Sequence, residues 1–156
     1  MKNLGVIASA IALLFVFQSC GTRATSSIEP ITKVVPVENT NKNDLYVRAN
    51  NWMVSAFKNA ESVVQFSDKE SGTVTGKYYL SPITAANQYG PAQDAYAIIN
   101  IQVKDEAGKI TVTPEKFDYM KGNMYTLYNE ESAKQKIENL ITSFETAMLK
   151  PENKDW

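Results

Sequence analysis

Four carboxylates in two turn-like stretches are the first candidates for chemistry. Asp68 and Glu70 lie in the stretch SDKESG, and Asp105 and Glu106 lie in the stretch DEAG. Paired carboxylates can ligate calcium or act as a general acid and base in hydrolysis. These pairs lack the alternating acids and the distant glutamate of a calcium-binding loop. We therefore predict solvent-exposed hairpin turns, and keep carboxylate-based hydrolysis as the alternative.

The composition excludes several other kinds of active site. The 156 residues include no histidine and a single cysteine. Histidine is the commonest general base and metal ligand, so the chain cannot form a Ser-His or Cys-His nucleophile, or a zinc site of thiolates and imidazoles. Ser67 and Ser71 flank Lys69, but no further feature singles out a Ser-Lys pair. We predict a protein that is not an enzyme and that holds no metal and no cofactor.

Tyrosine is the residue type in this chain that best suits a binding surface. Its ring buries a large area while its hydroxyl stays available for hydrogen bonds, so it is frequent at recognition surfaces. Four tyrosines lie in stretches with little regular patterning, and we predict that they are exposed and form a binding surface: Tyr89, Tyr119, Tyr125 and Tyr128. The alternative is that most tyrosines are half-buried residues of a sheet.

Cys20 is a candidate site for covalent lipid attachment. Lys2 is followed by an almost wholly apolar run, residues 4–17, and Cys20 and Gly21 come shortly after it. This is the layout of a secretory signal, and the run is shorter than the ~20 residues of a membrane span. The alternative is a short anchor helix that stays in place. The segment is similar to the looser lipobox of Bacteroidetes-type lipoproteins, which implies that residues 1–19 are removed as a signal peptide and that Cys20 is lipidated.

The residues after Cys20 bear on the location of the protein. Several acyl chains on one residue give stable membrane anchoring. Gly21 is not the aspartate that often marks retention in the inner membrane, and no acidic cluster resembling a surface-export signal follows. We predict a lipoprotein anchored in the outer membrane with its domain facing the periplasm.

The mature chain is expected to form one α+β domain with a curved antiparallel sheet and two helices on one face, in the order β-α-β-β-β-β-α. Helical spacing of apolar residues predicts helices over residues 44–60, capped by Asn43, and from Asn129 to about Lys150. Strands are predicted near residues 31–37, 63–66, 73–80, 96–103 and 109–113, with a long loop at 81–94. We assign residues 20–29 to a flexible lipidated tether, 30–150 to the domain and 151–156 to a tail.

Two stretches of the chain resemble a known family. They are LYVRANNWMVSAF at residues 45–57 and QFSDKESGTVTGKYYL at residues 65–80. They are similar to a family of uncharacterised Bacteroidetes-type secreted or lipid-anchored proteins, whose domain of unknown function has a TATA-box-binding-protein-like fold. The resemblance implies the fold and the location, with Trp52 and Phe57 facing the core and Gly72 in a hairpin. It implies no activity and no DNA binding.

The most specific hypothesis is a non-enzymatic binding or interaction module on the cell envelope. Nucleic acid is not expected as a partner, because 16 Lys and Arg against 17 Asp and Glu give a net charge of −1 and no means of neutralising phosphates. The expected partners are the membrane, through the N-terminal lipid, and an envelope protein or a small apolar or glycan ligand. The alternatives are a periplasmic hydrolase that uses carboxylates and a purely structural accessory lipoprotein.

Overall fold

The computed structural model describes residues 21–58, 62–88 and 90–150. The elements of these residues are, in chain order, β1 (Thr22–Thr25), β2 (Ile31–Pro36), α1 (Lys42–Ala56), β3 (Val63–Asp68), β4 (Thr73–Thr84), β5 (Gln93–Lys104), β6 (Ala107–Pro114), β7 (Asp118–Lys121) and α2 (Glu130–Leu149). Predictions that concern residues 1–20, Tyr89 and residues 151–156 lie outside the described residues.

Five antiparallel strands form the main sheet, in the order β2-β6-β5-β4-β3. Its inner face is apolar because alternate residues of the central strand β5 are buried, from Ala95 to Val103. Both helices pack on that face: α1 contacts β3 to β6, α2 contacts β2, β4 and β6, and the helices contact each other. The predicted α+β class, with an antiparallel sheet and two helices, is confirmed.

Helix α1 connects the two edge strands and so crosses the whole inner face. Asn41 caps it, because the Asn41 side chain accepts a hydrogen bond from the N–H of Asp44 at 3.0 Å. The predicted cap, Asn43, is therefore wrong by two residues. The carboxylate of Asp105 accepts from the N–H of Lys42 at 2.7 Å, so a contact from the distant β5–β6 turn adds to this cap. Trp52 is buried, as predicted.

Helix α2 begins next to Asn129, where the sequence predicts its start, and Asn129 is its cap. The side chain of Asn129 accepts from the N–H of Ser132 at 2.9 Å. Its buried face matches the predicted stripe: Ala133, Ile137, Leu140, Ile141, Phe144 and Met148. The ring of Phe144 lies edge-on to Trp52 of α1, with 5.2 Å between the ring centroids. This contact joins the two helices over the sheet.

The predicted loop over residues 81–94 is too long at both ends, because its first four and last two residues are strand. Strand β4 continues to Thr84 and β5 begins at Gln93. The pairing is interrupted by bulges, one of them between Tyr79 and Ser81, where proline and irregular backbone are tolerated. The Lys136 ammonium of α2 donates to the backbone carbonyls of Tyr79 and Leu80 at 3.1 and 2.8 Å. Helix α2 thus satisfies carbonyls at the bulge.

The prediction of a flexible tether over residues 20–29 is also wrong, because Thr22–Thr25 within it form a strand. Strand β1 pairs antiparallel with β7, and we call this two-stranded sheet the ribbon. Asp118 holds it, because its carboxylate accepts from Arg23 at 2.5 Å and from the Thr25 hydroxyl at 2.6 Å. Just beyond β1, Ser26 and Phe117 exchange two hydrogen bonds, of 2.9 and 3.1 Å. Residues 22–26 are therefore part of the folded domain.

Candidate functional site

An open groove of about 930 Å³ lies where the ribbon meets the main sheet and α2. Three segments line it: the link between β1 and β2, the strand β7, and the start of α2. Its volume is within the range of small-molecule binding sites. Secondary structure fixes two of the three walls, so the shape of the groove is set by the fold.

An aromatic cluster forms one wall of the groove. Tyr119 and Tyr128 both line it, and their rings meet edge to face with 5.0 Å between centroids. Phe117 completes the cluster, with its ring centroid 4.8 Å from that of Tyr128 and 6.1 Å from that of Tyr119. Phe117 and Tyr119 each pack edge to face on Tyr128, so the Tyr128 ring is held between two neighbours.

Glu130 places a carboxylate beside this wall. It accepts hydrogen bonds from the hydroxyl of Ser27 and, at 3.5 Å, from the hydroxyl of Tyr119. Burial and, next, the negative charge of Glu130 raise the pKa of Tyr119. The same two causes raise the pKa of Tyr128 to about 12. Both phenols are therefore neutral hydrogen-bond donors over the whole physiological pH range.

Charged side chains of both signs surround the mouth of the groove. Lys121 on β7 and Lys134 on α2 supply ammonium groups, and Glu131 supplies a carboxylate. All three residues are exposed. A groove with aromatic rings, neutral hydroxyls and charges of both signs suits a ligand that is polar and forms many hydrogen bonds.

The structure brings together two of the four tyrosines predicted to form a binding surface. Tyr119 and Tyr128 share the groove, but Tyr128 is only 7% exposed, so its predicted exposure is wrong. It lies just before the cap of α2, a position whose side chain often packs inward. Tyr125 is exposed, at 46%, but does not line the groove. Tyr89 lies outside the described residues.

Two residues of the groove were assigned other places by sequence reasoning. The sequence places Ser27 in the tether and Glu130 in the first turn of the last helix. The two residues are 103 positions apart, so no local pattern relates them. The β-branched residues of the segment TRAT at 22–25 were the available signal for β1.

Asp68 and Asp105 of the two turns have structural roles, which agrees with the prediction that these stretches are hairpin turns. The carboxylate of Asp68 accepts from the backbone N–H groups of Glu70 and Ser71 at 3.0 and 3.3 Å. Hydrogen bonds from the Ser71 side chain and then from the Glu70 backbone lower the pKa of Asp68. Asp105 caps α1, as described above. A general acid needs a raised pKa, so these contacts do not favour Asp68 in that role.

A second group of aromatic residues lies on the outer face of the main sheet. The rings of Tyr79 and Tyr96 meet at 5.9 Å, and the Lys77 ammonium lies 4.2 Å from the centre of the Tyr96 ring. Lys77 also forms an ion pair with Glu115 at 3.1 Å. The two rings meet edge to face, and these contacts give the group a structural role on the outer face.

In residues 21–58, 62–88 and 90–150, no three His, Cys, Asp or Glu side chains are grouped to hold a metal ion. No helix in this part of the chain combines the length and the apolar character needed to cross a membrane.

The five-stranded antiparallel sheet with two helices on one face places the protein in the TBP-like fold class. The chain belongs to the family described as a domain of unknown function (DUF4468) with TBP-like fold, whose model matches residues 32–120. The predicted family resemblance is thereby confirmed for the domain. Ser27, Tyr128 and Glu130 of the groove lie outside the matched residues.

Solved structures agree with this fold. A TBP-like protein from Parabacteroides distasonis ATCC 8503 has a TM-score of 0.55 at 16% identity, over 81% of this chain and 99% of that one. A DUF4468 family protein from Bacteroides ovatus ATCC 8483 has a TM-score of 0.52 at 14% identity, over 81% of this chain and 89% of that one. No curated protein matches the chain. At these identities the likeness concerns the fold alone.

Proposed function

We propose that the protein is a lipid-anchored, non-enzymatic binding module of the cell envelope, and that its ligand occupies the groove. The observation that carries this proposal is the groove itself, with Tyr119, Tyr128 and Glu130 held in a fixed arrangement. In the proposal, Cys20 carries the lipid, the anchor lies in the outer membrane, and the domain faces the periplasm.

The position of the ribbon is consistent with an anchor at Cys20. Strand β1 begins at Thr22, so only Gly21 separates the proposed lipidated residue from folded structure. Such a domain would lie against the membrane, since the tether that the sequence suggested is itself folded. The apolar run and the single cysteine of the N-terminal sequence are the further support.

The lining of the groove favours a polar ligand, such as a glycan fragment or a peptide of an envelope protein. The Tyr128 hydroxyl can donate a hydrogen bond to a ligand, and the Tyr119 hydroxyl, whose proton is directed to Glu130, can accept one. The Glu131 carboxylate adds an acceptor, and Lys121 and Lys134 add donors. An aromatic wall next to such groups suits sugar rings and peptide side chains alike. A purely apolar ligand would leave these polar groups without partners, which costs free energy.

A carboxylate-dependent hydrolase is the second candidate function. The observation that favours it is that Glu130 and Glu131 both line the groove. The Glu130 carboxylate already accepts two hydrogen bonds. Such contacts fit a residue that positions its neighbours as well as they fit a general base. The fate of the ligand distinguishes the two functions. The binding module keeps its ligand intact, whereas a hydrolase cleaves it.

The anchor is tested by metabolic labelling of the full-length protein with a radioactive fatty acid, followed by fractionation of the envelope. The Cys20→Ala variant is the matched control. Labelled protein in the outer-membrane fraction is expected, and the variant should carry no label and leave the membrane. Equal labelling of both proteins, or no label in either, would contradict lipidation at Cys20.

The groove is tested by site-specific photocrosslinking in intact cells. A photoreactive amino acid replaces Glu131 at the mouth of the groove or, as the matched control, Glu138 on the same helix. Both residues are exposed, and about 10 Å of helix separates them. A defined adduct from position 131 alone is expected, and its loss in a Tyr119→Ala background would assign it to the groove. Equal adducts from both positions would show that the groove is not the binding site.

A further inference from the structure

The end of β7 and the segment between β7 and α2 expose four large apolar side chains. Met120, Met124, Tyr125 and Leu127, which we call the tip, lie within eight residues, and Met124 is 84% exposed. Single exposed apolar residues are common, but a contiguous group of large ones marks an interaction site. We therefore expect the tip to bind an apolar partner.

The tip is an ordered structure. The Thr126 hydroxyl donates to the carbonyl of Met120 at 2.6 Å, and the Asn123 side chain accepts from the N–H of Tyr125 at 2.8 Å. The N–H of Leu127 donates to the carbonyl of Ile83 at the end of β4, at 2.9 Å. These bonds fix the backbone of the segment to the main sheet, so the fold itself holds the apolar side chains outward.

The tip lies where the chain enters the folded domain. Strand β1 pairs with β7, with Arg23 opposite Met120, and Gly21 lies against the turn that follows. A Cβ atom on Gly21 would be only 3.1 Å from the Cβ of Asn123. Cys20 directly precedes Gly21, and consecutive Cα atoms are about 3.8 Å apart. A lipid on Cys20 would thus bring the bilayer surface to the tip.

We propose that the tip is a second membrane contact, in which Met120, Met124, Tyr125 and Leu127 enter the interface of the bilayer that holds the Cys20 lipid. This inference rests on the proposed lipidation of Cys20. Methionine and leucine gain free energy by leaving water for acyl chains, and the tyrosine ring is suited to the headgroup region. Lys121, next to Met120, would face the anionic headgroups.

The contact would fix how the domain stands on the membrane. A lipid on Cys20 alone leaves the domain free to rotate about the anchor. A rigid apolar tip in the bilayer removes that freedom, and it turns the groove, which shares Tyr119 and Lys121 with the ribbon end, towards the membrane surface. Ligands near the headgroups would then be within reach of the groove.

The test uses the mature lipidated protein with an environment-sensitive fluorophore at one position. Since Cys20 is the single cysteine of the chain and its thiol is consumed by the lipid, a Met124→Cys variant offers one reactive thiol. Leu127→Cys is a second probe position in the tip. Leu149→Cys is the matched control, because Leu149 is also an exposed apolar residue but lies at the opposite end of α2.

The labelled proteins are reconstituted in vesicles of phosphatidylethanolamine and phosphatidylglycerol. Probes at positions 124 and 127 are expected to shift their emission to shorter wavelength, to be quenched by lipids with a nitroxide high in the acyl chain, and to be shielded from aqueous iodide. The probe at position 149 should show the opposite pattern. Iodide quenching at 124 and 127 equal to that at 149 would overturn the inference.

Two further outcomes have distinct meanings. Shielding from iodide without quenching by the nitroxide lipids would mean that a second copy of the protein covers the tip, which overturns the lipid contact. Mass analysis of the purified protein is done first. A mass without the acyl groups on Cys20 would overturn the proposed anchor and the tip contact together, whereas a lipidated protein with an exposed tip overturns the tip contact alone.

Discussion

The main sheet with its two helices and the ribbon are built on different interactions. The main sheet is held by apolar burial: its interface with the helices contains fully buried side chains such as Phe144, Leu45 and Ile99. The ribbon consists of two four-residue strands, held by polar contacts of Asp118 and Ser26 and by the packing of the Tyr119 ring on Tyr128. Apolar burial thus dominates the main sheet, whereas hydrogen bonds, those of Asp118 exposed to water, have a larger share in the ribbon.

This difference indicates where function and motion are to be expected. Contacts made in water contribute little net free energy, so local opening requires less free energy in the ribbon than in the sheet. The groove and the tip both lie at the ribbon end. Binding sites are commonly placed on such less stable parts, which a rigid scaffold positions. The sheet and helices would then serve as the scaffold.

Loss of a core contact should affect the whole molecule. Phe144→Ala removes a fully buried ring that packs against Trp52, and is expected to lower the free energy of unfolding by about 3–5 kcal/mol. Urea denaturation followed by circular dichroism measures the change. Leu149→Ala, an exposed position on the same helix, is the control and should change it by less than about 1 kcal/mol. Equal effects of Phe144→Ala and Leu149→Ala would contradict the view that apolar burial stabilises the main sheet and its helices.

A smaller effect is expected where α1 meets β4. Gly76 has no side chain where the ring of Phe57 lies: a Cβ atom there would be 2.4 Å from the ring. Gly76→Ala should therefore lower the free energy of unfolding by about 1–3 kcal/mol through overpacking. A second substitution, Phe57→Leu, makes room and should recover part of the loss. If Gly76→Ala costs the same in both backgrounds, the close approach to Phe57 is not the cause.

Tyr128 should make stability depend on alkaline pH. Its pKa in the folded protein, about 12, is above the ordinary value of 10.0. The neutral phenol's contribution to stability is thus complete below pH 10, and is lost as the pH rises towards 12. Tyr128→Phe cannot ionise, so its free energy of unfolding should fall less over that interval. Parallel curves for the two proteins would contradict the buried, Glu130-facing position of the phenol.

The smallest effect is expected in the ribbon, at acid pH. Hydrogen bonds from Thr25 and then Arg23, together with the charge of Arg23, lower the pKa of Asp118 below 3.8. Its contribution is therefore present above pH 3.8 and is lost as the pH falls through the lower, folded value. The amide NMR signals of β1 should shift in that range while those of β5 stay constant, and Asp118→Asn should abolish the shift. Simultaneous changes in β1 and β5 would mean that the two regions open together.

The elements with a strong local pattern could be predicted from the sequence. Helix α2 has an apolar stripe of helical period, and both this stripe and the start near Asn129 are confirmed. The start of α1 was placed two residues late, because a contact from Asp105 in a distant turn helps to fix it. The spacing of residues near Lys42 does not indicate a contact with Asp105.

The ribbon and the groove could not be predicted because their contacts span most of the chain. Strand β1 has only four residues, and its partner β7 lies more than 90 residues away, as the separation of Arg23 from Asp118 shows. The tyrosines were identified as candidates from their type alone. Which of them meet, and that Tyr128 is buried by its neighbours, depends on the packing of the ribbon on α2.

Hydrogen exchange on the mature protein in native outer-membrane vesicles tests most directly whether the ribbon end is the functional face. The reference is the Cys20→Ala protein in solution. Added protection is expected in residues 22–31 and 118–131, which form the ribbon, the groove and the tip, with α1 unchanged. Protection confined to α1 or to the outer face of the main sheet, with the ribbon end unaffected, would contradict the proposal that this end meets the membrane and the ligand.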